Sequence, residues 1–436
     1  MIPLCKVNTM PSYRLIEELR WRGLVQDIMP GTEDTLNQSA VRGYIGFDPT
    51  ADSLHVGHLV QIILLKHLQR AGHVPIALIG GATGMVGDPS GKSEERNLLD
   101  HDTLMKNIEG VKSQLNRLLL NDQDTQEVLI LNNYDWFGKM GFIEFIRDVG
   151  KHISVSYMMS KDSVKKRLET GLSFTEFTYQ LLQGFDFYYL HTHYQCCLQM
   201  GGADQWGNMT TGTELIRRKS GGGAFAFTSP LITKSDGTKF GKTEKGAVWL
   251  DRSRTSVYDF YQFWLRLSDV DALKYIKIFT FLPQDEIVAI NQAHALAPHL
   301  GALQQKLATV ITDMVHGESS RKLAQITTDF LFGKGGVSSL FALSEADILS
   351  VFEGVPSHSI PRAVLSDSPD AVALLSEHSP VFSSKGEVRR MLTQNAISIN
   401  QQKITAEQRI TEFDLLKERF ILVQIGKKNY HLLLFV

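Results

Sequence analysis

The sequence predicts an α/β protein: a parallel sheet covered by helices, followed by an all-helical stretch and a small α+β domain at the C-terminal end. Three observations predict it. Apolar runs of strand length alternate with amphipathic runs of helical period through the first half. Glycine density falls from about residue 248, where helical periodicity takes over. The length of 436 residues exceeds one ordinary core. The divisions read from these patterns are 1–247, 248–352, a linker at 353–369 where Pro356, Pro361 and Pro369 sit among serines, and 370–436.

Residues 41–47 read as a buried strand, 55–71 as an amphipathic helix and 74–79 as a second apolar strand, together a right-handed βαβ unit. A helix is expected over 98–120 and another buried strand over 127–131. In a parallel sheet ligands lie beyond the carboxyl ends of the strands, where Tyr44, Asp48 and Gly80-Gly81-Ala82-Thr83 fall. The stretch from Phe174 to Asp186 sets Tyr179, Gln183 and Asp186 at i, i+4 and i+7, one polar stripe beside Leu181, Leu182, Phe185 and Phe187. Such a stripe by itself is more often a satisfied polar seam than a binding site. Near the end, Ser383 to Leu392 reads as a capped basic helix and Ala396 to Asn400 as a short strand.

Composition narrows the class. With 43% hydrophobic and 21% charged residues the chain reads as a soluble globular protein. It has no apolar run long enough to span a bilayer and no basic segment leading an apolar one at its start, so a cytoplasmic location is expected. Cys5, Cys196 and Cys197 suit neither a disulfide framework nor a zinc knuckle and are read as reduced thiols. Net charge is −2, unevenly spread: residues 380–436 carry nine Lys and Arg against five Asp and Glu, a balance of +4 that leaves −6 for the rest. A basic terminal module on an acidic body fits a protein that holds a polyanion mainly at one end.

The run Gly43-Tyr44-Ile45-Gly46-Phe47-Asp48-Pro49-Thr50-Ala51-Asp52-Ser53-Leu54-His55-Val56-Gly57-His58 passes from strand through turn into helix. Asp52 and Ser53 are suited to cap that helix, whose free N–H groups and dipole favour an anion beyond its end. His55 and His58 share a face and can donate to one polyphosphate, and Gly57 leaves room for a flat base. A bare pair of this spacing also occurs in metal sites and on ordinary surfaces. No Glu follows His55, however, and no Cys or third His is near to complete a zinc shell, so no metal site is assigned. Far downstream, Ser235-Asp236-Gly237-Thr238-Lys239-Phe240-Gly241-Lys242-Thr243 sets two ammonium groups and a hydroxyl in a loop made flexible by Gly237 and Gly241. Lys-x-x-Lys alone is usually a solvated loop; with the histidine motif it says far more. Gly84 to Ser93 imitates a phosphate-binding P-loop and fails, because Val86 stands where the first glycine belongs and Pro89 removes a backbone donor.

Together the stretch from Tyr44 to His58 and the lysine loop resemble the signatures of bacterial-type tyrosyl-tRNA synthetases, class I aminoacyl-tRNA synthetases. The resemblance runs from about Tyr13 to the end, which makes Met10 a candidate start. It implies a Rossmann-like catalytic domain and a small C-terminal RNA-binding domain of ribosomal-protein type. It implies tyrosine binding by Tyr44, Asp88, Tyr179, Gln183, Asp186 and Gln205, with Tyr44 and Asp186 on the phenol and Asp88 on the amino group. ATP contacts fall on Gly46, Asp48, Thr50, His55, Gly57, His58, Gly202, Asp204 and Lys242. Lys92, Arg96, Lys239, Lys242 and Thr243 approach the pyrophosphate with the two histidines as the catalytic set, and Lys385, Arg389 and Arg390 meet RNA. Ala203 replaces a Ser frequent in the family's segment. Substrates are L-tyrosine, ATP with Mg²⁺ on its phosphates, and tRNA(Tyr); family members are homodimers. A carboxylate nucleophile is already ionised, so activation needs alignment and cationic or hydrogen-bonding groups but no general base. The competing readings are a tryptophanyl-type synthetase, an RNA-binding or splicing protein that kept this fold without its activity, and the rejected P-loop NTPase. Tyr44 with Asp186 argues against the first, and intact His55, His58, Lys239 and Lys242 against the second.

Overall fold

The computed structural model describes residues 13–88, 90, 99–120, 127–168, 171–238, 240–243, 246–331, 345, 348–349, 352, 355–426 and 429–436. Helices α1 (Leu15–Arg22) and α2 (Thr32–Gln38) precede β1 (Arg42–Phe47), which leads through a 3-10 turn into α3 (Leu59–Arg70) and β2 (Val74–Ile79). Helix α4 (His101–Leu119), capped by Asp100 accepting from the Thr103 N–H, precedes β3 (Leu129–Asn132). Short helices α5 (Tyr134–Phe137), α6 (Phe142–Asp148), α7 (Val155–Met159) and α8 (Asp162–Leu168) lead to α9 (Phe174–Tyr194), β4 (Cys196–Gly202), α10 (Trp206–Ser220) and β5 (Phe225–Ser229).

These five strands form one parallel sheet in the order β3-β2-β1-β4-β5. Strand order reverses beside β1, so a crevice opens at the carboxyl ends of β1 and β4. Every residue of β2 is buried, as its unbroken apolar run requires. Strand β4 is equally buried but carries Gln199 and Gly201-Gly202, which disguise it as a strand in the sequence. Helix α9 begins with a reciprocal cap between Ser173 and Glu176. It packs on α10 so closely that a Cβ at Gly212 would lie 3.0 Å from the Phe187 Cβ.

The segment after β5 holds the short hairpin β6 (Lys242–Thr243) and β7 (Gly246–Ala247), then α11 (Val257–Leu265), α12 (Asp269–Phe279), α13 (Gln284–Leu296), α14 (Ala302–His316) and α15 (Glu318–Leu331). It is helical as expected, but it is not a compact body of its own. The chain divides into one unit of residues 1–255 with 263–315 and another of 256–262 with 316–436. Side chains explain why 263–315 belongs to the sheet unit. Buried Arg22 donates to the carbonyls of Lys277 (2.8 Å), Thr280 (2.6 Å) and Leu282 (2.8 Å), closing the C-terminal end of α12. Phe240 inserts among Phe263, Trp264, Tyr275 and Phe279 with ring centroids 4.8–5.7 Å away.

The second unit contains β8 (Ser357–Ile360), α16 (Ala371–Ser376), α17 (Lys385–Thr393), β9 (Ile397–Ile399), β10 (Gln402–Lys403), β11 (Phe420–Ile425) and β12 (Asn429–Phe435). Its sheet runs β10-β9-β11-β12-β8. Part of the expected linker 353–369 is therefore an edge strand, β8, paired in parallel with β12. Proline at 356 and 361 brackets that strand, a position an edge tolerates. One sheet face packs on Val372, Leu375, Val388 and Leu392, the other on Phe330, Ile348 and Phe352.

Candidate active site

The polar turn after β1 ends in a cap different from the expected one. Ser53 Oγ donates to the Leu54 carbonyl and accepts from Gln114, while Asp52 pairs with Arg254 and Lys106. The capping side chain is His55, which is extended, with a 3-10 turn, Val56–His58, following it. His55 Nδ1 accepts from the Gly57 N–H and His58 Nδ1 accepts from the His55 N–H, both at 3.1 Å. A backbone N–H can only donate, so both Nδ1 atoms are acceptors and each neutral ring carries its proton on Nε2. The turn thus hands its N–H groups to the imidazoles, and an anion would meet two Nε2–H donors instead of bare backbone. The rings lie 4.0 Å apart between centroids. Gly57 is required by this arrangement itself, since a Cβ there would come within 2.7 Å of His55 Cε1.

At the other end, Tyr44 and Asp186 are buried. Among the described residues the Tyr44 hydroxyl has no hydrogen-bond partner. Burial pushes its pKa well above the usual phenol range. Asp186 accepts from Trp136 Nε1 (2.9 Å) on one oxygen and from Asn133 Nδ2 (3.0 Å) on the other. Burial nevertheless raises its pKa to about 8, against the lowering effect of those two donors. Asn133 also donates to Thr83 Oγ1 (3.1 Å) and accepts from the Ala82 N–H (2.7 Å). Thr83 in turn donates to Asp48 Oδ1 (2.8 Å), whose other oxygen accepts from Tyr179 (2.9 Å).

Between these ends lies a group of acceptors. The Tyr179 hydroxyl spends its proton on Asp48, so its lone pairs are what it offers a ligand. Asn208 Nδ2 donates to Gln183 Oε1 (2.9 Å), Ser90 Oγ (3.3 Å) and Gln205 Oε1 (3.3 Å), fixing both amides. Gln205 Nε2 donates to Asp88 Oδ2 (2.7 Å) and the Ser90 N–H to Asp88 Oδ1 (2.9 Å). Tyr179, Gln183 and Asp88 together suit an ammonium group.

One cavity of about 510 Å³ is lined by Tyr44, Gly46, Asp48, Thr50, His55, Gly57, His58, Asp88, Tyr179, Gln183, Asp186, Gly202, Asp204 and Gln205. The polar stripe of α9 therefore faces a cavity and is not a closed core seam. Lys92, Arg96 and Lys239 lie outside the described residues, as do the side chains of Lys242 and Thr243 in β6. Around the lysine loop the glycines serve fixed turns. Gly237 (φ +81°) sits in a turn closed by the Lys234 N–H on the Thr238 carbonyl, and at Gly241 (φ +82°) a Cβ would approach Val56 Cγ2 to 2.7 Å. Missed in the sequence were Asn133 and Trp136, which with Thr83 and Asn208 orient the lining side chains. The position of Asn133 just after β3 was the available signal, since that is a carboxyl strand end. In the other unit, Lys385 is paired with Glu377 (2.6 Å), while Arg389 and Arg390 are exposed on α17. Among the described residues no group of three or more His, Cys, Asp or Glu could hold a metal, and no helix is long and apolar enough to cross a membrane.

Residues 36–333 match the family of class I tRNA synthetases (W and Y), and 347–433 match the tyrosine–tRNA ligase SYY-like C-terminal domain. A tyrosine–tRNA ligase of Porphyromonas gingivalis is 56% identical over 425 residues, covering 96% of this chain and 99% of that one. One from Flavobacterium johnsoniae is 56% identical over 422 residues, covering 95% and 98%. The crystal structure of a C-terminally truncated Aspergillus nidulans mitochondrial tyrosyl-tRNA synthetase superposes with a TM-score of 0.66 at 31% identity, over 73% of this chain and 94% of that one.

Proposed function

The chain belongs to the class I tRNA synthetases, as a tyrosine–tRNA ligase, and from that membership we propose how its residues divide the reaction. The enzyme joins tyrosine to tRNA(Tyr) with conversion of ATP to AMP and diphosphate. The observation that carries the assignment of roles is a single cavity with a buried carboxyl group and a buried phenol without a partner among the described residues at one end and two Nε2–H imidazoles at the other.

Tyrosine enters ring first. Its hydroxyl meets Asp186 and Tyr44, and its ammonium meets Tyr179, Gln183 and Asp88, with Gln205 beside it. The substrate carboxylate then attacks the α-phosphorus of ATP and diphosphate leaves with the bond electrons. Gly46, Asp48, Thr50, Gly57, Gly202 and Asp204 accommodate the nucleotide. His55 and His58 donate to phosphate oxygens as charge builds, assisted by Lys92, Arg96, Lys239, Lys242 and Thr243. Mg²⁺ arrives as part of the ATP substrate. In the second step a hydroxyl of the terminal ribose attacks the activated carbonyl and AMP departs. The C-terminal unit holds tRNA through Arg389, Arg390 and Lys385, the last exchanging Glu377 for phosphate. Because ATP and tRNA are cytoplasmic substrates, we place the enzyme in the cytoplasm.

The test is amino-acid-dependent exchange of labelled pyrophosphate into ATP, with each standard amino acid. Tyrosine alone is expected to support it; exchange with tryptophan in its place would overturn the assignment of the pocket.

We further propose a homodimer through α6 and α7, where Phe142 and Ile143 are 66% and 75% exposed and Ile146 and Val155 are exposed as well. Ile143→Glu should halve the mass measured by light scattering; an unchanged wild-type mass that is already monomeric would remove this surface from consideration.

A further inference from the structure

Among the described residues the C-terminal unit displays one fully exposed phenylalanine. Phe330, Phe352, Phe382, Phe420 and Phe435 are buried, whereas Phe413 is 100% exposed. A scattered apolar side chain on a surface carries no function by itself. Phe413, however, stands on a locked base. Asp414 Oδ2 accepts from the Thr411 N–H (2.8 Å) and Oγ1 (3.2 Å), and the Asp414 carbonyl accepts from Asn400 Nδ2 (2.6 Å). Asn400 is itself tied to β11, its Oδ1 accepting from the Leu422 N–H (3.0 Å), and the adjoining Leu415 is buried in the core. The backbone that carries the ring is thereby held in place.

The carboxylates on either side of it are both engaged. Glu412 pairs with Arg362 (3.1 Å), and the Asp414 carboxylate is occupied within the turn. The bare phenyl face is thus presented by a domain whose last 57 residues have a balance of +4. Proteins that hold unpaired nucleotides combine such basic charge with an exposed aromatic ring on which a base stacks, and a ring carried on an ordered backbone spares the cost of ordering that backbone on binding.

We propose that Phe413 is a stacking platform for an unpaired nucleobase of the RNA bound by the C-terminal unit. The proposal rests on the reading that this unit binds tRNA. Stacking does not discriminate strongly between bases, so Phe413 contributes affinity and register, with the phosphate-facing cations supplying the salt-dependent part.

The experiment uses the full-length enzyme and a tRNA(Tyr) transcript, measuring the dissociation constant across a salt series together with pyrophosphate exchange. Phe413→Ala should weaken binding on the order of ten-fold, the lower range of base–aromatic stacking, with an unchanged salt slope and unchanged exchange. Phe413→Trp should retain binding, and Phe413→Leu should not restore it. Unchanged affinity in Phe413→Ala overturns the proposal, as does full affinity in Phe413→Leu or an altered oligomeric mass without RNA, which would assign the ring to a protein contact. The double change Arg389→Ala, Arg390→Ala separates the two readings. If it weakens binding with a shallower salt slope while Phe413→Ala does nothing, only the stacking inference fails; if it too has no effect, the RNA-binding reading of the unit fails.

Discussion

Asp186→Ala is expected to weaken tyrosine binding by roughly 5- to 150-fold, the equivalent of about 1–3 kcal/mol for leaving buried polar groups without their partner. The side chain is buried and held from two sides by Asn133 and Trp136, so no rotation of a neighbour can replace it. Its titration supplies a second readout. The folded chain keeps the Asp186 proton up to about pH 8, whereas an unfolded carboxyl releases it near its ordinary value of 3.8. Between those values the folded state binds the extra proton, so the stability this group contributes is full below about pH 4 and is lost as pH rises through about 8. The neutral variant Asp186→Asn lacks that loss. Its thermal midpoint relative to the natural enzyme should climb from pH 5 to pH 8.5, and a difference that stays flat would mean the carboxyl ionises normally in the fold. Tyr44→Phe has the opposite character. Its hydroxyl has no partner to abandon among the described residues, so the fold should not suffer. Selectivity should, because a hydroxyl-recognising site rejects the substrate lacking it by leaving its own groups unpaired, a strategy for which tyrosine-activating enzymes are the standard example. The ratio of kcat/KM for tyrosine over phenylalanine should fall by about 2- to 12-fold, one ordinary hydrogen bond. Full selectivity in both Tyr44→Phe and Asp186→Asn would put the phenol elsewhere.

His55→Ala and His58→Ala should each slow single-turnover adenylate formation by about 10²- to 10³-fold while tyrosine affinity changes less than about two-fold, because donors aimed at developing charge act in the transition state. The two substitutions also remove an acceptor from the turn. Gly57 or His55 loses the partner of its N–H, which should lower stability by about 0.5–2 kcal/mol, the usual loss for a helix cap. A normal single-turnover rate with a raised tyrosine dissociation constant would contradict the role assigned to these imidazoles.

The linear pattern carried the sheet. Strands 41–47 and 74–79 announce themselves because a strand buried on both faces must be apolar throughout, and both are found within a residue of where they were read. The spacing of Tyr179, Gln183 and Asp186 was equally legible, since the helical period alone puts them on one face, and they line one cavity. The amphipathic run at 357–360 was not legible. Ser357–Ile360 is short, half exposed and bracketed by prolines, so nothing local distinguishes an edge strand from a linker until β12 is there to pair with it. Residues 263–315 read correctly as helices and incorrectly as a separate domain, because the contacts that decide this, Arg22 on the end of α12 and Phe240 among its aromatics, join positions far apart in the chain.

By itself the sequence determined the chemistry available: which residues are cations, acceptors or donors, and, through the helical and strand periods, which of them share a face. Only the tertiary structure decided what each polar group is bound to. That Asn133 and Trp136 grip Asp186 and that Tyr44 has no partner among the described residues are facts of distance between β1, β3 and α9, while the Nε2–H of His55 and His58 follows from the folded geometry of their own turn. Periodicity reports only which residues share a face, whereas protonation and burial depend on neighbours that other elements bring within about 3 Å.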